Sequence, residues 1–254
     1  MAKQAIGGIS RIMLGNQRSI FKRNRFTQKG LQLWVDASLP GTVTRDGSNK
    51  VSLWKDKTLN ARNFVQSTAA QQPTYLPTGI NGLGAVYFDG AAFNMPFSDQ
   101  TLSYIANSSF TIAYVATKTA GTANQYVIGG QGTGTRNNLI MGYVSSNTYK
   151  FGLGNDDQNA IVNVVNAGVP ELYLVTFDSS TFERRIRRNT ADEGLGAASG
   201  LLTGMTGQSL GKYLSSFGNF AIGELLIYNR VLTTSEISGV ERDMMSKWSI
   251  SYGS

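Results

Sequence analysis

The sequence predicts an all-β sandwich carrying one C-terminal helix, preceded by a basic N-terminal arm. Three observations predict it. Hydrophobic residues make up 41% of the chain against 15% charged, which is enough apolar side chain to fill a core. Glycines number 29 against 5 prolines, the balance of a chain with many tight turns and close backbone approaches. Short apolar stretches bounded by Gly, Asn, Asp and Ser recur along the whole chain after residue 30, at the spacing of a sandwich rather than a βαβ fold. No apolar run reaches the roughly 18 residues that a membrane span needs.

The elements follow in order. Leu31–Asp36 alternates apolar and polar before a turn at Pro40-Gly41. Val51–Trp54 follows the Asp46-Gly47 turn, and Gly84–Asp89 comes next. In Phe110–Ala116 the residues of both faces are apolar or small, which predicts a strand buried on both sides. Tyr126–Ile128, Leu139–Val144, Tyr149–Leu153 and Ile161–Val165 read as further strands. Leu172–Phe177 and Phe182–Arg188 read as a hairpin, and Phe220–Tyr228 closes the β region. Thr190–Ser216 is Gly-rich and reads as a loop with a short strand near Leu210. A helix follows: Thr233 and Glu236 have the spacing of a capping box, and Ile237, Val240, Met244 and Trp248 share one face.

Composition removes several chemistries. The absence of cysteine excludes disulfide frameworks, thiolate metal sites and cysteine nucleophiles. The absence of histidine excludes Ser-His-Asp catalysis and imidazole ligands. The charge is unevenly placed. Residues 1–30 hold Lys3, Arg11, Arg18, Lys22, Arg23, Arg25 and Lys29 with no Asp or Glu. The other 16 Lys and Arg balance the 16 Asp and Glu of residues 31–254, so the whole +7 sits on the arm. Such a segment could be a transit peptide, a solvated tail or a docking arm. Interspersed Ile6, Ile9, Ile12 and Met13, at roughly helical spacing, favour docking on an acidic partner surface. The division expected is an anchoring arm over 1–30 and a sandwich over 31–254.

Several stretches, in this order, resemble the concanavalin A-like lectin/glucanase superfamily in its laminin-G-like branch: LWVDAS at Leu33–Ser38, Val51–Gln66, Gln72–Gly90 and Phe220–Ile250. The resemblance covers roughly 31–250 and is carried by its two ends, the middle matching only in strand rhythm. It implies a two-sheet jelly-roll sandwich with a short C-terminal helix. Trp34, Trp54 and Trp248 sit among apolar neighbours and are expected to fill core. Asp36, Asp56 and Asp89 each end a strand beside a turn and are expected to accept backbone N–H groups. Gly82, Gly84 and Gly90 are read as turn residues.

Glucanases of this fold carry Glu-x-Asp-x-(x)-Glu on one strand. None of the six glutamates here begins that pattern; Glu224 stands on a strand, on the face of Ile222 and Leu226, without an acidic partner two residues away. The expectation is therefore that the chain is not an enzyme. Asp156 and Asp157, with Asn155 and Asn159, form the best calcium candidate, in what reads as a polar loop, against the plainer reading of a solvated turn. Arg184, Arg185, Arg187 and Arg188 read as an exposed hairpin with Glu183 and Asp178 as ion-pair partners. The glycines of 129–134 lack the Lys-Ser/Thr of a phosphate loop and read as a turn. The functional expectation is a structural protein of a phage virion, held to other virion proteins by its arm and without a cofactor. The alternative is a carbohydrate-binding module that meets a host surface glycan, and glycoside hydrolysis stands third.

Overall fold

The computed structural model describes residues 25–118, 124–145, 148–161 and 167–251. Two antiparallel sheets face each other across one core. The larger runs in the order Ala191–Ala197 (β15), Glu183–Arg188 (β14), Pro170–Phe177 (β13), Phe110–Lys118 (β8), Asn219–Tyr228 (β19), Leu83–Asp89 (β6) and Thr74–Ile80 (β5). Leu31–Asp36 (β1) is its eighth strand. Strand β19 is shared lengthwise: Asn219–Ile222 pair with β6, and Glu224–Tyr228 pair with β1. Gly223 stands at the junction, where the register against β8 shifts by one residue.

The second sheet has six strands: Asp156–Ile161 (β12), Thr148–Leu153 (β11), Leu139–Tyr143 (β10), Gln125–Gly129 (β9), Ser209–Leu210 (β16) and Met95–Pro96 (β7), in that order. Val43–Arg45 (β2), Val51–Trp54 (β3) and Phe64–Val65 (β4) make a small three-stranded sheet, and Lys212–Tyr213 (β17) pairs with Ser216–Phe217 (β18). The core between the large sheets is rich in aromatic rings, with Tyr149 and Tyr173 stacked at 4.3 Å and the hydroxyls of Tyr114 and Tyr149 bonded at 2.6 Å. Burial pushes the phenols of Tyr114, Tyr143 and Tyr173 well above the ordinary tyrosine range, so they stay protonated and act as packing and hydrogen-bonding groups.

The helix Thr234–Trp248 (α1) lies on the outer face of the larger sheet. Thr233 accepts from the Glu236 N–H, and Glu236 accepts from the Thr233 N–H, the reciprocal cap expected from the sequence. Its buried face, Ile237, Val240, Met244, Met245 and Trp248, covers Ala113, Val115, Leu172 and Leu174. β8 is buried along its whole length, with the core on one side of it and the helix over Ala113 and Val115 on the other.

Some expectations are corrected. Thr74–Ile80, not among the expected strands, is an edge strand (β5), where the missing N–H of Pro77 costs little, and its register breaks between Leu76 and Ile80. Ala191–Ala197 is a strand, not a loop. Asp156 and Asp157 begin β12 rather than lying in a loop, and most of the strand expected over Ile161–Val165 lies outside the described residues. Gly84 is no turn: inside β6 its missing side chain makes room for the Tyr75 hydroxyl and the Ala37 carbonyl.

Candidate functional site

The helix covers only part of the larger sheet's outer face, and the remainder is a groove of about 390 Å³. Strand register builds it. Ala221 on β19 lies between Tyr87 on β6 and Thr117 on β8. Thr74 continues the row beyond Tyr87, and Pro170 continues it beyond Thr117. Leu76, Gly79 and Gly168 complete the lining. The floor is shallow and smooth because Ala221 and the two glycines are small. Tyr87 is half-buried, whereas Thr117 is 8% exposed and its Oγ1 has no hydrogen-bond partner among the described residues. An aromatic surface beside a buried hydroxyl in need of a partner suits a ligand with alternating C–H and O–H groups.

Beyond the groove, under the helix, stands a saturated charge cluster. Glu224 is fully buried and accepts from Arg25 Nη1 (3.1 and 3.2 Å), Trp34 Nε1 (2.9 Å), Lys247 Nζ (3.1 Å) and Trp248 Nε1 (2.8 Å). The step in register at Gly223 explains its position. Ile222 faces the inter-sheet core, but past the bulge Glu224 faces outward with Leu226. The expected common face of Ile222 and Glu224 is thus corrected. Asp36 joins through Lys247 (2.5 Å) and Lys57 (3.0 Å). Burial alone would raise its carboxyl, but Lys247, Ser38 and Lys57 together hold it below the ordinary carboxylate range.

The sequence-predicted residues are dispersed. Lys3, Arg11, Arg18, Lys22 and Arg23 lie outside the described residues. Arg25 is turned inward: besides Glu224 it donates to the Asp243 carbonyl, so it belongs to the body and is not a docking charge. Phe26 packs edge-on against Trp34 at 5.1 Å. Lys29 is exposed, with its carbonyl accepting from Arg230 Nε at 2.9 Å. The two carboxylates of the calcium candidate, Asp156 and Asp157, have protein partners. Asp156 is bonded to Arg184 (3.1 Å) and to Ser199 Oγ (2.7 Å), and Asp157 to Lys150 (2.6 Å). No group of three or more acidic side chains with metal-binding geometry occurs among the described residues.

The four-arginine hairpin is ion-paired, but largely to residues other than those expected. Arg187 reaches Glu241 (2.7 Å) and Asp192 (2.8 Å), and Arg188 bridges Glu171 (2.7 Å) and Glu193 (2.9 Å). Burial pushes Glu171 upward, and hydrogen bonds from Tyr173 and Arg188 do not outweigh it. Asp56 and Asp89 serve turns as expected: Asp89 Oδ1 accepts from the N–H groups of Ala91, Ala92 and Phe93 at 2.9 Å each. Asp56 takes those of Trp34, Thr58 and Arg62. Trp54 and Trp248 are fully buried, while Trp34 is half-buried with the Lys57 ammonium 3.5 Å over its ring.

The groove escaped sequence reasoning because its residues come from separate segments with no motif. The one local signal is Thr117, a polar residue near the end of the apolar run FTIAYVATK.

No family model and no curated protein matches the chain. Solved structures do. Domain 4 of AbnA, a GH43 extracellular arabinanase from Geobacillus stearothermophilus in complex with arabinotriose, is 15% identical at a TM-score of 0.61, over 83% of this chain and 98% of that one. Trypanosoma rangeli sialidase in complex with sialic acid is 15% identical at 0.58, over 85% of this chain. The binding domain of botulinum neurotoxin serotype D is 10% identical at 0.58, over 85% of this chain and 51% of that one. This chain spans about a third of the sialidases' length, 33%. At these identities the likeness shows the fold, a β-sandwich. It also corrects the expectation that the chain is not an enzyme, because sialidase chains and a domain of an arabinanase have the same sandwich.

Proposed function

We propose that the chain is a carbohydrate-binding module, a laminin-G-like member of the concanavalin A-like superfamily, that takes glycan in the groove beside the helix. The observation that carries this reading is the pairing of the Tyr87 ring with the unpartnered Thr117 hydroxyl over a floor of Ala221. A sugar offers a C–H face to the ring and hydroxyls to the threonine, and small floor residues let it approach the sheet. The arabinanase domain, matched over nearly its full length, supports the reading because it was solved with a bound arabinose trisaccharide. The test is an array of immobilised glycans probed with the full chain, with reducing-sugar release measured in parallel on every glycan retained. Retention of a glycan class is the expected result, and an array without any retention overturns the reading.

The charge partition favours a second, compatible role. The acid-free leader would tether the module to an acidic assembly such as a phage particle, although no virion protein is among the similar structures named above. Recovery of the full chain with particles, lost when residues 1–24 are deleted, is the outcome that supports it. Unchanged recovery removes it.

A further inference from the structure

Resting on that reading, we infer that the groove takes a neutral, linear oligosaccharide lying across the strands, rather than an acidic or single terminal sugar. Charge is the first argument. None of the six lining residues is ionisable at neutral pH: Leu76, Gly79, Tyr87, Thr117, Gly168 and Ala221. The carboxylate that follows Tyr87 on the same face of β6, Asp89, spends Oδ1 on three backbone N–H groups. At the far end of the row, Lys50 Nζ is 3.4 Å from Thr74 Oγ1 and lies 3.7 Å over the Phe93 ring, so its charge is turned toward that ring. A carboxylate or sulfate carried into the groove would lose water without gaining a countercharge, which disfavours acidic glycans.

Extent is the second argument. The row Thr74, Tyr87, Ala221, Thr117 and Pro170 crosses five adjacent strands. At about 4.8 Å between neighbouring strands, four steps give roughly 19 Å, longer than one sugar ring. The helix closes the adjoining part of the face, since Ala221 also belongs to the cluster under Trp248 and Met244. A chain lying along the row meets the ring of Tyr87 and the hydroxyl of Thr117 in succession, which a single sugar on one side of Ala221 does not.

The experiment is titration calorimetry of the full chain against neutral arabinan oligosaccharides from one to six sugars, maltotriose and cellotriose, with sialyllactose and trigalacturonate as acidic probes. The expected result is binding of a neutral series whose affinity rises with chain length up to the length of the row and then levels off. Tyr87→Ala weakens it about tenfold or more, the scale of a lost aromatic contact. Tyr87→Phe retains most of it. Thr117→Val removes a hydroxyl at constant shape and weakens it, while Thr117→Ser restores it; urea unfolding confirms that each variant is folded. Binding of the acidic probes alone overturns the inference and leaves the module reading standing. Equal affinity for one sugar and for three, or neutral binding unmoved by both Tyr87→Ala and Thr117→Val, also overturns it. Binding of no probe in calorimetry, together with an empty array, removes the inference and the reading together.

Discussion

Glu224→Gln changes one atom in kind and leaves volume and shape alone, so it isolates the charge cluster. The carboxylate now accepts from four donor groups and is fully buried. A carboxamide has one acceptor oxygen, and its NH2 must face donors. With the oxygen toward Trp248 and Lys247, the NH2 meets Arg25 and Trp34; turned over, it leaves the buried Trp248 N–H and Lys247 unpaired. Arg25 and Lys247 keep side-chain exposures of 25% and 20%, so each can recover part of its hydration. An orphaned buried donor costs about 1–3 kcal/mol, and a hydrogen bond to a charged group contributes about 1.5–3 kcal/mol. The variant is therefore expected to lose about 2–4 kcal/mol. Urea unfolding followed by far-ultraviolet circular dichroism reads this as a lower midpoint at unchanged slope. Glu236→Gln is the control, because its ion pair with Arg230 is at the surface and a glutamine still completes the cap, so it loses about 1 kcal/mol or less. A Glu224→Gln protein within about 0.5 kcal/mol of the wild type would refute the view that this cluster holds β1, β19 and the helix together.

Three further outcomes are expected. A chain starting at Gly30 is less stable than one starting at Arg25 by about 3–5 kcal/mol in the same urea assay, because it loses the buried Phe26 ring and the guanidinium on Glu224. Gly223→Ala costs about 1–3 kcal/mol, measurable by calorimetry, since a Cβ there runs into the Trp248 ring. On acidification the cap weakens: the Arg230 hydrogen bond holds Glu236 down to about 2, against 4.5 ordinarily, and Asp36 is lowered as well. Because the folded values lie below the unfolded ones, both contributions are lost on acidification; that of Glu236 is complete above about pH 4.5 and is lost as pH falls toward about 2. The Tm of the wild type should drop more steeply over that interval than that of Glu236→Gln; parallel curves would contradict the assignment.

Much of the fold was legible in residues with strong periodicity. Phe110–Ala116 announced a doubly buried strand, and Thr233 with Glu236 announced the helix start; both lie where expected. The failures have physical causes. Pro77 and Gly79 hid β5, which tolerates them as an edge strand. ADEGLGA has poor strand propensity, yet it pairs with β14 because Asp192 and Glu193 meet Arg187 and Arg188 across the hairpin. Glu224 was read on the wrong face because a bulge cannot be seen in period-two spacing. The groove was invisible for a related reason. Tyr87, Thr117 and Ala221 become neighbours only through strand register, which no local pattern encodes.

The packing near the two ends of the described chain bears on how this sandwich can be joined to other polypeptides. Phe26 and Ile250 are buried in the same outer apolar cluster, so the backbone enters and leaves on one side of the body. Ends that leave from one face can be joined by a bridge across it while new ends are opened elsewhere. The turn at Asp46-Gly47, exposed and far along the chain from either end, is a natural place for such a cut.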